Sequence, residues 1–316
     1  MGAPRTPGVY DAVIVGGGPA GLSAALVLGR ARRRVLLFDH GRYRNAATRR
    51  MHGYLTRDGI RPPSFRAIAR RELEAYGVEI RREEVLDVRR GRAGFRVLLP
   101  RRRSVRSTML LLATGVVDRI PAIPGIEPLY GASVHHCPYC DGWEWRDRRL
   151  AAYGRGQNAV ALAHSLKGWS ADVMLLTDGG RVGRDDLREL TARGIPVVTR
   201  RVLRLQGTAG MLRRIHVHGV GPLERDALFF STANDQSCDI GFRLGCRATS
   251  KSAIWTNRRE GTNVTDVYVA GDASSDIQSV IVAAAEGAKA AVAINKELLS
   301  RERAAARERS RRRRGM

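Results

Sequence analysis

Short apolar runs recur along the chain, and most are closed by glycine. Residues 12–15 form one such run, followed by Gly16-Gly17-Gly18-Pro19-Ala20-Gly21. An apolar helical stretch over 22–28 comes next, and Val35–Phe38 then ends in Asp39. This order predicts strand, glycine turn, helix, strand and acid, the βαβ unit that binds dinucleotides. Gly16 suits the tight turn, Gly18 the close approach of a pyrophosphate, and Gly21 the close packing of helix on strand. Pro19 and Ala20 open the helix, whose free N–H groups and dipole favour phosphate. Asp39 is placed to accept from a ribose hydroxyl.

The pattern repeats. A helix is expected over 64–76. A strand over 109–113 leads into Ala113-Thr114-Gly115, and Pro121, Pro124 and Pro128 mark a linker. Leu150–Tyr153 then runs into Gly154-Arg155-Gly156-Gln157-Asn158-Ala159, a helix over 160–166 and a strand Val173–Leu176 ending at Thr177-Asp178. This is a second dinucleotide unit with Ala159 in the place of the third glycine, either functional or vestigial. A strand over 267–270 ends in Gly271-Asp272, and a long Ala-rich helix is expected over 279–299.

Charge changes the picture only at one end. Lys plus Arg is 55 against 31 acids, a net charge of +24, and 51 of the 55 are Arg because only Lys167, Lys251, Lys289 and Lys296 are lysines. So heavy an Arg bias reads partly as codon composition. The segment after Ser300 is separately basic. It reads as an arm for nucleic acid, an anionic membrane or an acidic protein, or more simply as a frayed, solvated helix end that is largely disordered, and nucleic acid is not the expected partner. The apolar stretch 280–294 is interrupted by Glu286 and Lys289 and is too short to span a bilayer. The first residues lack the pattern of a signal peptide. A cytoplasmic protein is expected.

Between the two units lies His135-His136-Cys137-Pro138-Tyr139-Cys140-Asp141-Gly142. Two cysteines so spaced can close a disulfide, and thiolate attack is how disulfides exchange. Asp141 follows the pair directly and is a candidate proton donor or acceptor. Zinc is the competing reading, through His136, Cys137 and Cys140, but no second Cys-x-x-Cys or His pair stands at a suitable spacing. An inert structural pair is another. His135 and His136 either lower the thiol pKa by their charge or simply pack.

The ordered series of glycine fingerprint, Ala-Thr-Gly at 113–115, Cys-x-x-Cys-Asp-Gly at 137–142, a second fingerprint and Gly271-Asp272 before a long helix resembles the low-molecular-weight thioredoxin reductases. The resemblance covers about residues 9–299. It implies an α/β fold of two Rossmann-like, three-layer ββα dinucleotide-binding domains, the second inserted in the first. Residues 1–118 and 246–300 would form the FAD domain, 119–245 a pyridine-nucleotide-type domain carrying the cysteines, and 301–316 the disordered tail. By resemblance, Cys140 exchanges electrons with the flavin, Cys137 attacks the substrate disulfide and Asp141 is the acid–base residue. Asp272 binds the FAD ribityl–phosphate region, and Ser279 and Val280 approach the isoalloxazine edge. A homodimer is implied as well.

The chain departs from the family at two places. The His-Arg-Arg-x-x-x-Arg signature of NADPH users is replaced by Thr177-Asp178-Gly179-Gly180-Arg181-Val182-Gly183, so NADH is favoured over NADPH through Asp178. The flavin-contacting Gly-Gly-Gln segment is replaced by Arg44-Asn45 and His52-Gly53. The Cys-Pro-Tyr-Cys-Asp-Gly-Trp-Glu stretch and Trp169-Ser170 also resemble flavin dithiol oxidases, which form disulfides in small natural products and reduce oxygen. In those oxidases the residue after the second cysteine is often His, whereas Asp141 is reductase-like. Three functions follow as expectations. The first is an NAD(P)H-driven reductase of a thioredoxin-like protein. The second is an oxygen-using oxidase of a small dithiol. The third is a non-catalytic redox-sensing or nucleic-acid-binding flavoprotein.

Overall fold

A computed structural model of the chain describes residues 8–231, 233–275 and 277–314. The first βαβ unit is β1 (Val9–Val15), α1 (Pro19–Arg30) and β2 (Val35–Phe38). It continues through α2 (Pro62–Glu74), β3 (Glu79–Arg81), β4 (Asp87–Gly91), β5 (Gly94–Leu98) and β6 (Ser104–Leu112). β1 pairs in parallel with β2 and β6, and β3 extends the edge beyond β2. The first half of β6 carries the antiparallel β4–β5 hairpin.

A short strand, β7 (Val116–Asp118), leads out of this unit. The inserted unit holds β8 (Val134–His135), α3 (Pro138–Asp141), β9 (Leu150–Tyr153), α4 (Gly156–Leu166), β10 (Val173–Leu176), α5 (Arg184–Ala192) and β11 (Val197–Val198). The antiparallel sheet β12 (Val202–Thr208), β13 (Met211–Val217) and β14 (Val220–Glu224) follows, then β15 (Ala227–Phe230). Its main sheet is ordered β11-β10-β9-β15-β8. The chain returns through β16 (Asn234–Gln236), which pairs antiparallel with β7, so two short strands join the units. A short helix α6 (Ile240–Arg243), β17 (Val267–Val269) and α7 (Val280–Arg314) complete the first unit. β17 pairs with the second half of β6.

Period-two alternation sorts each strand between two cores. Ala12, Ile14, Met109 and Leu111 pack with Leu22, Leu28 and Ile294 from the helices. Val13, Leu110 and Leu112 face Val88, Phe95, Ile240 and Ile254 on the opposite side. Strands covered on both faces read as continuous apolar runs, which is how the sequence displays them. The inserted unit repeats the three layers, with Leu150 and Phe229 against α4 and Ala151 and Phe230 against β12–β14.

Two boundaries differ from expectation. Residues 237–245, expected with the insertion, pack on the first unit, because Ile240, with Cys238 and Leu244 against it, joins the core on the open face of its sheet. The segment from Arg301, expected as a disordered tail, continues α7 to Arg314. Ala304, Ala305 and Ala306 favour helix, and the i,i+4 pairs Glu297–Arg301 and Glu308–Arg312 support it. Glu302 also bridges back to Arg33. Among the described residues no helix is long and apolar enough to cross a membrane.

Candidate active site

The first glycine turn sits at the C-terminal end of β1. Gly16 has φ +118°, and a Cβ there would collide with the Ala113 carbonyl, so the turn lies directly on the Ala113-Thr114-Gly115 segment. A Cβ on Gly21 would strike the Gly16 carbonyl. Gly18 faces open space, Pro19 opens α1, and no side chain caps that helix. Ala20 packs under Gly271 and against Gly287 of α7. Uncapped N–H groups beside open space at a glycine turn fit the pyrophosphate of a dinucleotide.

Asp39 is 1% exposed and turns back onto the loop. Its Oδ1 accepts from the Gly41 N–H at 2.9 Å, and its Oδ2 accepts from the Tyr43 hydroxyl at 2.7 Å and from Arg70. Burial pushes this carboxyl up, but those three donors outweigh it and hold it below the ordinary carboxylate value. Asn45 accepts from Arg66 at 3.3 Å.

Arg44 joins the parts of the site. It donates to both oxygens of Asp118 on β7, at 2.8 and 2.6 Å, and to Asp272 at 2.8 Å. Burial opposes the Arg44 charge, yet the two carboxylates prevail and raise its pKa. Asp118 in turn lies 3.8 Å from His136 Nε2, and the Tyr130 hydroxyl is 3.1 Å from His136 Nδ1. Burial, helped by the Arg44 charge, holds the His136 pKa below its ordinary value despite Asp118. Tyr130 is pushed up to about 12, mainly by burial. A single network thus runs from the residue preceding Cys137 to Asp272. Asp272 follows Gly271, whose N–H donates to Glu286 on α7 at 2.8 Å. Ser279 opens α7, its hydroxyl oxygen accepting from the Val282 N–H at 3.4 Å, with Val280 as the first helical residue. His52 stands between the units, 3.4 Å from both Asp58 and Glu144.

Cys137 and Cys140 are joined in a disulfide. Cys137 caps α3, its sulfur accepting from the Cys140 N–H at 3.1 Å. Both sulfurs are committed to each other, and among the described residues no cluster of three His, Cys, Asp or Glu is arranged to hold a metal. Asp141 lies 3.3 Å from Nδ1 of buried His135, and the Trp145 indole N–H donates to His135 Nε2 at 3.0 Å. Because indole only donates, the ring proton of His135 sits on Nδ1 and points at Asp141. Exposed Tyr139 lies between the two cysteines and exposed Trp143 follows them, and Tyr139 meets Trp169 edge to face.

The second glycine turn is built like the first. Gly154 and Gly156 have positive φ, Gly156 faces open space, and Ala159 is buried where Gly154 crosses it. Its acid is differently placed. Asp178 Oδ2 pairs with Arg155 at 2.9 Å, and Oδ1 accepts from the Val202 N–H at 2.9 Å. Arg155, from inside the glycine motif, also lies over Gly180. Sequence reasoning did not single out Arg155, Asp118, Trp145 or Glu286. Only Arg155 carried a signal, as a long cation within the turn and 23 residues before the acid.

The chain matches the family described as pyridine nucleotide-disulphide oxidoreductase over residues 10–287. It is 35% identical to the solved structure of HlmI, with a TM-score of 0.92, covering 99% of this chain and 100% of that one. A putative thioredoxin reductase TrxB from Bacillus anthracis is 33% identical with a TM-score of 0.88, over 92% and 99% of the two chains. A probable thioredoxin reductase of Arthroderma benhamiae is 37% identical over 191 residues, 58% of this chain but about half (47%) of that protein's length. With the glycine turns, the disulfide and the inserted second unit in place, the chain belongs to the pyridine nucleotide-disulphide oxidoreductase family, FAD-dependent disulfide oxidoreductases of thioredoxin-reductase-like fold.

Proposed function

We propose that the protein oxidises a substrate dithiol at Cys137–Cys140 and passes the electrons through FAD to oxygen, so that a dithiol and molecular oxygen become a disulfide and hydrogen peroxide. The observation that carries this direction is the state of the second nucleotide turn. Arg155 stands inside the motif where the first turn has Gly17, pairs with Asp178 at 2.9 Å and lies over Gly180. The exposed aromatic rim of Tyr139 and Trp143 suits a small apolar substrate.

The residues at the first turn fit FAD. The backbone of Gly16, Gly18, Pro19, Ala20 and Gly21 would hold its pyrophosphate, with Asp39 on the ribose side. Ala113, Thr114, Gly115, Arg44, Asn45, His52, Gly271, Asp272, Ser279 and Val280 would line the remainder. Bound FAD supplies the two-electron acceptor for the reduced cysteine pair. The chain's own residues handle the exchange. A substrate thiolate attacks Cys137, a bond forms between those two sulfurs, and the Cys137–Cys140 bond breaks to leave Cys140 as the thiolate. The second substrate thiolate attacks its own sulfur in that mixed disulfide, closes the product and releases Cys137. Asp141 takes one thiol proton at a time and releases it to the departing Cys137 sulfur or to solvent, held for this by the His135 Nδ1–H that Trp145 orients. The same reading places the protein as a homodimer.

A reductase driven by NAD(P)H is the second reading. The intact turns at Gly154 and Gly156, Asp141 and the name of the Arthroderma benhamiae relative favour it. In that reading a thioredoxin-like protein is the acceptor, and any NADH preference rests on Asp178, whose charge Arg155 offsets. Anaerobic titration of the yellow protein separates the two. Bleaching by dithiol alone, with colour returning in air, is expected. Rapid bleaching by NADH or NADPH would replace the oxidase reading with the reductase.

A further inference from the structure

The opposite end of the first sheet from the glycine turn holds a cavity of about 450 Å³ walled by arginines. Arg34, Arg81, Arg96 and Arg106 line it, together with Tyr10 and Ser104. Arg96 and Arg106 are direct cross-strand partners in the β5–β6 ladder. Like charges so placed destabilise a sheet. Arg34 stacks over the Tyr10 ring at 4.7 Å on the far side.

The cavity is not internally neutralised. Two carboxylates lie beside it, Asp11 at the Arg34 backbone and Glu79, which already accepts from the Tyr10 hydroxyl at 2.5 Å and from Arg81 at 2.7 Å, so the acids gather on the Arg34 side and leave Arg96 and Arg106 unbalanced. Among the described residues no ion pair joins Arg96 or Arg106 to a carboxylate, whereas the Arg34 backbone N–H donates to Asp11 Oδ2 at 2.7 Å. Arg96 donates only its Nε, to Ser104 Oγ at 2.9 Å, which leaves its outer N–H groups and the Ser104 hydroxyl proton to face the cavity.

We infer that this cavity is a binding site for a small ligand carrying two linked anionic groups of diphosphate type. The cations form two centres, Arg96 with Arg106 on β5 and β6 and Arg34 just before β2, with only β1 between β6 and β2 and about 4.8 Å from each strand to the next. One anionic group bridges the opposed guanidiniums and relieves their repulsion, with the Ser104 hydroxyl donating to it. The second sits at Arg34. Guanidinium forks match phosphate oxygens bidentately, and the volume is that of a small-ligand site. The site is separate from both glycine turns, so its occupant does not compete with FAD.

The test is isothermal titration of the FAD-loaded, full-length protein with inorganic pyrophosphate at physiological salt. One saturable site per chain is expected. Inorganic phosphate should bind about tenfold more weakly, and Arg96→Gln/Arg106→Gln should raise the pyrophosphate Kd by about tenfold or more. Arg34→Gln serves as the second variant and should weaken pyrophosphate while narrowing its advantage over phosphate. No saturable binding, or an unchanged Kd in the double variant, overturns the site. An equal loss in full-length Arg307→Gln/Arg309→Gln/Arg311→Gln would show general attraction to a basic chain and overturns it as well.

Discussion

Arg44→Met removes the guanidinium between Asp118 and Asp272 while keeping much of its volume. The Asp118 side chain is 4% exposed and that of Asp272 20%. Water can therefore reach Asp272 again but not Asp118, which loses both of its charged hydrogen bonds. Leaving one buried charge without its partner costs about 3–5 kcal/mol, and the half-open geometry at Asp272 argues for about 3 kcal/mol. At about 2–4 °C per kcal/mol, Tm should fall by about 6–12 °C. Urea denaturation with flavin fluorescence would read both the loss of stability and the release of FAD. The second variant carries the logic. In Arg44→Met/Asp118→Asn the buried negative charge is gone, so about 2 kcal/mol should return. A double variant no more stable than Arg44→Met, or a single variant within about 0.5 kcal/mol of the parent, would refute a role for Arg44 as the counter-charge of Asp118.

Cys140→Ser should keep its yellow colour and lose dithiol-dependent bleaching, and bleaching at the parent rate would remove Cys140 from the proposed exchange. Trp145→Phe frees His135 Nε2 and with it the tautomer facing Asp141. It should lower kcat about tenfold or more and alter the pH profile with KM unchanged, whereas an unmoved profile would show the indole to be packing alone. His136 has a folded pKa depressed by burial below its ordinary 6.5. The unfolded chain therefore takes up that proton first, and stability is full above the ordinary value and falls as pH drops toward the folded one. His136→Gln should flatten this acid limb in urea melts, and an identical limb in parent and variant would assign it to other groups. Gly287→Ala drives a Cβ into the Ala20 carbonyl. It should cost about 1–3 kcal/mol and lower FAD retention, and full retention in spectra of the purified variant would show that α1 and α7 can part at no cost.

Local chemistry was legible in the sequence and long-range pairing was not. The strand–turn–helix–strand–acid order could be read because Gly16, Gly21 and the apolar strands satisfy constraints within a few dozen residues. The cysteine pair announced itself by spacing. The partners of Arg44 lie 74 and 228 positions away, and nothing in the composition of an Arg-rich chain marks which arginine closes a network. Asp39 and Asp178 were found at their strand ends, but the filling of their oxygens by Tyr43, Arg70, Arg155 and the Val202 N–H depends on tertiary packing. The return of the chain near 237 was missed because Ile240 and Cys246 are too few apolar residues to show a period. The helix beyond Ser300 was expected only as a frayed end, because its charge outweighed its alanines.

The last elements of the chain, β17 and α7, pack directly on the first ones. β17 completes the sheet beside β6, and α7 presses Gly287 against Ala20 at the start of the glycine turn. During synthesis the inserted unit emerges whole, while the cradle at the first glycine turn lacks a strand and a wall until β17 and α7 have left the ribosome. Cofactor capture therefore waits on elements made after the inserted unit, and a chain broken off before β17 would keep its cysteine pair without a flavin to serve it.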